Sequence, residues 1–527
     1  MPIDDPVQGR ESPTAEDAEP TPRPTSTPEP APKGAPEPTL KGTPEPTLKG
    51  APESAPPSSW SVLRPLVLRL HFYAGVLIAP FLLIAAASGF LYSLSHQAEK
   101  VIYRHELRAP VGDRTLPLTD QLAAARAAHP EGTVTSVRLP SEEGATTRVL
   151  MSTPDMEEFK SLAVFVDPYT AEVRGTLISY GSSGALPVRT WLSEVHRHLQ
   201  LGEPGRIYSE LAASWLWVVA LGGLVLWISR KRSSKRALVV PERGARGRRR
   251  TLSLHGSLGM VAAVGLVLLS ATGLTWSTYA GENITAIKDQ LGSSTPTVSA
   301  TLDGASGGGT GAGGTGHEGH EGHDSTADMP DMPGMDGKGG TDIGIDLALV
   351  AARQAGLDGP VAVTLPTEGK GYVIAQTDNQ FPVRLDSVAV DPANGMVIDT
   401  LRFSDYPVLA QLTRYGIDIH MGVFLGLVNQ LLLAALALAL ILLIVWGYRM
   451  WWLRRPTKER RLSMGRAIPR GAWRRVPMAV LVPLAVVTGL IGWLLPVFGI
   501  SLAAFLVVDG VLGLVSGARA SSRTPAA

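Results

Sequence analysis

Along the chain, long apolar runs alternate with two kinds of polar segment. A membrane-crossing helix needs roughly 20 apolar residues. The pattern predicts about six spans, at 66–94, 211–228, 254–276, 423–446, 476–495 and 498–515. The last two stand close together and read as two short spans, with a re-entrant pair as the alternative. Two long connections, 95–210 and 277–422, separate the first four. Each contains a short amphipathic pattern, LTDQLAAARAAHP in the first and DLALVAARQAGLDG in the second, with the spacing of a helix. Alternating stretches follow: TVTSVRLP, TRVLMS and SLAVFVDP, then VAVTLP, YVIAQT and DSVAVDP. PYTAEVRG and PANGMVID supply turns into one more strand each. Each connection is therefore expected to form a small α+β domain.

Charge adds direction. The loop between the second and third runs reads SRKRSSKRALVVPERGARGRRR, and the one after the fourth reads RMWWLRRPTKERRLSMGRAIPRGAWRR. Basic loops stay cytoplasmic. Both termini are then expected inside the cell membrane and the two α+β connections outside. The first sixty residues differ in kind: rich in Pro, Thr, Glu and Ala, they repeat KGAPEPTL, KGTPEPTL and KGAPE from Lys33. Such a stretch buries no core and reads as a disordered tail. No apolar signal-peptide segment sits near Met1. The net charge of +1 is near zero and, with basic residues confined to short loops, fits a membrane protein and not a nucleic-acid binder. The absence of cysteine excludes disulfides, thiolate metal sites and covalent C-x-x-C-H haem.

The chain is written twice. His71-Phe-Tyr-Ala-Gly75 opens the first run, and His255-Gly-Ser-Leu-Gly259 opens the third, 184 residues on. The same shift carries Ser88-Gly89 onto Thr272-Gly273 and Tyr92 onto Trp276. A shift of 224 carries His196 onto His420, Asp167-Pro168 onto Asp391-Pro392, Gly202 onto Gly426, Gly223 onto Gly447 and Trp227 onto Trp451. Two internal repeats are expected. The registers differ by 40 residues, most of them the glycine-rich stretch around GHEGHEGHDSTADMPDMPGMDG, which has no counterpart in the first half. The expected division is a tail at 1–60, a span at 64–96, an outer domain at 97–195, a span region at 196–230 and a basic loop at 231–253. A span at 254–277, an insert at 303–340, a second outer domain at 341–405, a span at 420–453, a final helical pair at 476–516 and a tail at 517–527 follow.

The unit ending in DPYTAEVRG resembles a PepSY domain. LHFYAGV with ASGFLY, LHGSLGM with ATGLTW, HRHLQLGEPGR, and the endings WISR and WWLR make the frame resemble the PepSY-associated transmembrane proteins, described as iron-regulated membrane proteins. The resemblance covers roughly 64–455. It implies an α-helical integral membrane protein of about six transmembrane helices in two repeats, each carrying an extracytoplasmic PepSY-like α+β domain. Some members are similar to ferric-siderophore reductases with two b-type haems held by histidines of the transmembrane helices.

Ionisable side chains at membrane depth are costly and usually functional. Four repeat-equivalent histidines suit two haems b. His71 and His255 open spans on the inner side, and His196 and His420 precede spans on the outer side. Two imidazoles facing across one iron make bis-histidine ligation. His198 and His96 are fallback ligands. Gly75, Gly89, Gly259 and Gly273 are expected to admit a flat macrocycle or a close helix. His196 lies fifteen residues before Leu211, so GEPGR must bend the chain. Arg206 is a candidate partner for haem propionates; Arg230, Arg454 and Arg455 read first as interfacial anchors. Asp509, inside the last run, is a proton or ion group, or a packing residue. Gly309–Gly314 fits G-x-G-x-x-G but lacks the flanking strand and helix of a dinucleotide site.

His317, His320 and His323, then Met329, Met332 and Met335, recur every three residues in the insert. Imidazoles suit Cu(II) and thioethers Cu(I), so this segment is expected to collect copper without being the reaction centre. The reading that joins these features is a di-haem oxidoreductase. Its electrons come from quinol or a separate donor, since no nicotinamide or ATP motif is present. Its acceptor outside is a ferric siderophore or cupric ion, in metal uptake. The alternatives are a non-enzymatic copper-handling or sensing membrane protein, and a PepSY-based regulator of secreted peptidases.

Overall fold

The computed structural model describes residues 59–230, 235–302, 342–454 and 476–521. The Pro-rich tail lies outside the described residues, as do Gly309–Gly314, Arg455 and the six insert positions His317, His320, His323, Met329, Met332 and Met335.

The first apolar run is two helices, α1 (Ser59–Leu77) and α2 (Ala79–Ile102). The ladder continues through the joint: Ile78 N–H donates to the Ala74 carbonyl at 2.9 Å and Leu82 N–H to that of Ile78 at 3.0 Å. Pro80 has no N–H to give the Val76 carbonyl, which instead accepts the Tyr448 hydroxyl at 2.8 Å. The expected single span at 66–94 is therefore corrected to a broken helix, whose second part runs beyond the apolar residues.

After α3 (Arg104–Leu107) and α4 (Leu118–Ala128) come strands β1 (Thr133–Arg138), β2 (Thr147–Ser152), β3 (Lys160–Val166) and β4 (Val173–Tyr180). Helices α5 (Pro187–His198) and α6 (Glu203–Ile228) return the chain to the bundle. A 3-10 turn at Lys235–Leu238 in the basic loop leads to α7 (Gly247–Leu274) and α8 (Thr278–Gln290). The second half gives α9 (Ile345–Gln354), β5 (Val361–Thr364), β6 (Tyr372–Gln376), β7 (Ser387–Val390) and β8 (Val397–Leu401). It ends with α10 (Val408–Met421), α11 (Leu427–Trp452), α12 (Met478–Leu494) and α13 (Pro496–Ser521).

Among the described residues, five helices are long and apolar enough to cross a membrane: α2, α6, α7, α11 and the Pro496–Val515 part of α13. Their outward side chains are apolar too, with Val261 67% and Val264 79% exposed. Water would not tolerate so much contiguous apolar surface, whereas lipid does. The expected sixth span, at 476–495, forms α12, whose 17 residues reach only about 26 Å at 1.5 Å per residue. That is short of a hydrocarbon layer of roughly 30 Å.

Strands form where expected, though clean in-out alternation of burial holds in β5 and β6 and is lost in β3, which is buried on both faces toward its end; all pair antiparallel in the order β4-β3-β2-β1-β5-β6-β7-β8. The expectation of two separate α+β domains is corrected by the β1–β5 seam, where Ser136 pairs with Thr364 and Arg138 with Ala362. An unpaired strand edge leaves backbone groups unsatisfied; here each four-stranded unit covers the other's edge. Val137, Val149, Val164, Val363 and Ile374 form one core with α4 and α9. The alternate residues Leu150, Ala163 and Phe165 meet Leu186, Tyr103 and Leu107 on the opposite face. Asp346, in the first turn of α9, accepts the Leu118 and Thr119 N–H groups at 2.7 and 3.0 Å and so caps α4.

The sheet sits on the bundle through buried polar contacts. Glu99 of α2 accepts the Leu186 N–H at 2.8 Å and pairs with Arg189 of α5 at 3.0 Å. Helix α5 does not continue into α6. Leu199, Gln200 and Gly202 adopt positive φ of 54°, 57° and 60°, and the chain turns back so that Gly205 lies against the His198 carbonyl. The bend expected at GEPGR thus begins at Leu199. It lets His196 lie against α2 instead of above α6.

Candidate functional site: two histidine pairs

His71 of α1 and His255 of α7 meet between the spans, at the end of the bundle that carries the basic loop. Their ring centroids are 6.4 Å apart with planes at 75°. Each ring is tethered alike. His71 Nδ1 lies 3.0 Å from the Val219 carbonyl, and His255 Nδ1 lies 3.0 Å from that of Leu443. A carbonyl only accepts, so Nδ1 carries the proton in both rings and Nε2 keeps its lone pair. A metal–imidazole bond of about 2 Å on each side of one ion places two ring centroids about 6 Å apart. This pair has that spacing.

His196 of α5 and His420 of α10 line one cavity of about 280 Å³ at the sheet end of the bundle. His196 Nδ1 lies 2.9 Å from Ser88 Oγ, and His420 Nδ1 lies 2.7 Å from Thr272 Oγ1. Both hydroxyls already donate backwards into their own helices. Ser88 gives its proton to the Ile84 or Ala85 carbonyl at 2.9 and 3.1 Å. Thr272 gives its proton to the Leu268 or Leu269 carbonyl at 2.8 and 3.3 Å. The hydroxyl oxygens are therefore acceptors toward the rings, and Nδ1 again carries the proton. Thr272 lies seventeen residues from His255 on α7, which separates the two levels by about 26 Å along the helix.

A glycine lies beneath each ring. A Cβ placed on Gly89 would approach His196 Cε1 to 3.2 Å, and one on Gly273 would approach His420 Cε1 to 3.5 Å. On Gly223 it would approach His71 Cε1 to 2.8 Å, and on Gly447 His255 Cε1 to 3.9 Å. Gly89 and Gly273 therefore serve as expected. A Cβ on Gly75 would face open space and one on Gly259 would meet Leu443 of α11 at 3.7 Å; the glycines beneath His71 and His255 are Gly223 and Gly447, which the expectation had not named. A free Nε2 on each ring and glycine clearance beside it form a donor set and a flat cradle that would suit a planar macrocycle holding a metal.

The cavity at the sheet end is lined by His196 and not by His198. His96 packs edge-on against Tyr92 at 5.9 Å on α2 and does not line the cavity either. Arg206 and Arg197 do line it; Arg197 also donates to the Tyr180 hydroxyl at 2.9 Å. Beyond the lining loop, Arg148 donates to the Gly184 carbonyl at 2.8 Å. Burial, with Arg138 and Arg189 adjacent, pushes its guanidinium down to about 9, so it remains charged at neutral pH. The cavity lining itself holds two guanidiniums, Arg197 and Arg206, the second paired with Glu203 at 3.6 Å, and one carboxyl group, Glu210. At the other end Arg230 stacks on Trp227 at 5.8 Å, as an interfacial anchor does. Asp509 of α13 forms an ion pair with Arg69, two residues before His71, which makes it a packing group.

Sequence reasoning passed over Ser88, Thr272, Gly223 and Gly447 as site residues, although the repeat registers had matched each with its partner. It had no means of finding Val219 and Leu443, which act through backbone carbonyls that any residue possesses.

Together these features define a multi-pass helical membrane protein with an antiparallel sheet at one end and two histidine pairs within its bundle. The pattern of the PepSY-associated TM region matches residues 68–454, and the chain belongs to that family. No curated protein matches the chain. The Pro-rich tail, α12 and α13 fall outside the matched residues.

Proposed function

We propose that the protein is a di-haem membrane oxidoreductase that moves electrons through the bundle to an oxidised metal complex on the sheet side. The observation that carries this reading is the matched tethering of His71, His255, His196 and His420. All four present Nε2, with Nδ1 held by an acceptor. Second-shell acceptors of this kind orient a histidine ligand and raise its basicity. Haem bound between each pair would supply a one-electron store. The protein holds the rings in one tautomer, clears the approach with glycine, and excludes water with the apolar walls formed by Leu82, Leu216 and Leu266. Arg197 and Arg206 supply cations where propionates or an anionic acceptor need them.

The levels lie about 26 Å apart along α7, which suits transfer across a membrane. The basic-loop end faces the cytoplasm in this reading, and electrons enter there from quinol or a separate donor. The sheet faces outward, where a ferric siderophore or cupric ion is the acceptor. The insert, with His317 through Met335, makes copper a rival to iron. Non-enzymatic copper handling draws its support from those six positions alone: among the described residues no group of three or more His, Asp or Glu is placed to hold a metal ion. No contact of the described residues favours regulation of secreted peptidases.

The test is an optical spectrum of the detergent-purified full chain, oxidised and dithionite-reduced, with a pyridine haemochrome count. Two b-type haems per chain are expected. A colourless protein from haem-replete cells overturns the reading.

A further inference from the structure

We infer that Ser88 and Thr272 are positioning residues that set the reducing strength of the sheet-side site, and thereby which metal complexes the protein can reduce. The inference rests on the haem reading above. It starts from a difference between the two histidine pairs. The basic-loop pair is tethered to backbone carbonyls, which no side-chain substitution removes. The sheet-side pair is tethered to two hydroxyls, which one substitution each can remove.

The direction of the effect follows from the hydrogen bond. An acceptor on Nδ1–H gives the imidazole some anionic character and makes Nε2 a stronger donor to metal. A stronger donor stabilises the oxidised metal more than the reduced one, so the potential falls. Each hydroxyl is strengthened as an acceptor because its own proton is committed to a helix carbonyl. The dipeptides Ser88-Gly89 and Thr272-Gly273 therefore each do two things. The first residue holds the ring nitrogen, and the second leaves room for the ring. His196 has a further acceptor near it, the Ala85 carbonyl, so Thr272 should matter more to its ring than Ser88 does.

The consequence is selectivity. Hard, tightly chelated ferric iron is difficult to reduce, whereas cupric ion is easily reduced. A sheet-side site kept at low potential serves both; one raised in potential favours cupric ion. The overall step balances with quinol as donor. One quinol loses two electrons and two protons to become quinone. Each electron converts one ferric ion to ferrous, or one cupric ion to cuprous.

The experiment is a potentiometric titration of the haem-loaded full chain, following both haem signals. Variants are Thr272→Val, Thr272→Ser, Ser88→Ala and Ser88→Thr. Thr272→Val should raise the sheet-side midpoint by at least a tenfold change in equilibrium, which is 59 mV for one electron. Ser88→Ala should raise it less. Thr272→Ser and Ser88→Thr should stay near the native value, and the basic-loop midpoint should not move in any variant. In the same preparations, the rate with a ferric chelate relative to a cupric chelate should fall about tenfold in Thr272→Val. A loaded Thr272→Val protein with an unchanged midpoint, or with both midpoints shifted equally, overturns the inference and leaves the haem reading standing. A native protein that binds no haem overturns both. Should Thr272→Val load poorly, Thr272→Ala carries the same test, because it removes the same hydroxyl and its smaller side chain fits the same space.

Discussion

The two ends of the bundle solve one problem in two ways. At the basic-loop end, His71 and His255 sit on helices α1 and α7 and lean on carbonyls of the neighbouring helices α6 and α11. At the sheet end, His196 and His420 ride on α5 and α10, short helices outside the spans, and lean on hydroxyls of α2 and α7. The first pair is built by helix packing alone. The second also depends on how the sheet holds α5 and α10 against the bundle. One end is thus insulated from side-chain substitution and the other adjustable by it.

The strongest way to break this comparison is to remove a ring. On the di-haem reading proposed above, His71→Ala or His255→Ala should halve the haem count and abolish electron transfer to the acceptor. The sheet-side spectrum should persist. A haemochrome count that stays at two in both variants removes these histidines from the ligand set.

The next largest effect is on the joint. Glu99 and Arg189 are buried, with side chains 8% and 10% exposed, and Glu99 also accepts the Leu186 N–H. Breaking a buried pair by removing one partner costs about 3–5 kcal/mol. Glu99→Ala should therefore lower the thermal midpoint strongly and loosen the sheet-side site before the basic-loop site. Equal loss at both sites on mild heating would show that the two ends do not differ in what supports them.

These features were unevenly legible. A histidine within an apolar run stands out because burying it is costly, and alternation with period two marked three strands of each unit while a turn signal marked the fourth. The seam between β1 and β5 did not show, because no local pattern says which edge a strand will find more than 200 residues away. The turn after α5 was hidden for a different reason. Leu199 and Gln200 take left-handed conformations that side chains of their type rarely adopt, so GEPGR signalled a bend but not its start at Leu199. The ring tethers at Val219 and Leu443 were unreadable, since a backbone carbonyl has no sequence signature.

The glycines beneath the rings sharpen the comparison within one level. Gly223→Ala would place a Cβ 2.8 Å from His71, but Gly447→Ala would place one 3.9 Å from His255. The first is an overlap and the second an ordinary contact. Overpacking costs typically about 1–3 kcal/mol, so Gly223→Ala should destabilise by that amount and disturb the basic-loop haem spectrum. Gly447→Ala should be close to neutral. Matching effects from both would mean that the two halves are more alike than their geometry at this level.

The smallest effect tests whether α1 is held at its break by a side chain. Pro80 leaves the Val76 carbonyl without its helical partner, and the Tyr448 hydroxyl fills that role from α11, next to Gly447. Tyr448→Phe removes one hydrogen bond and keeps the ring, so it should cost about 1 kcal/mol, read as a small fall in the unfolding midpoint in detergent. On the di-haem reading, the spectrum of the basic-loop site should respond and that of the sheet-side site should not, because α1 carries His71. Pro80→Ala makes the argument stricter. An alanine at position 80 restores the N–H, so Val76 regains a backbone partner and Tyr448→Phe should cost less in that background. The difference between the two costs measures the coupling. Identical costs with and without Pro80 would mean that the hydroxyl does not stand in for the missing backbone bond, and that α1 is held at its bend by packing alone.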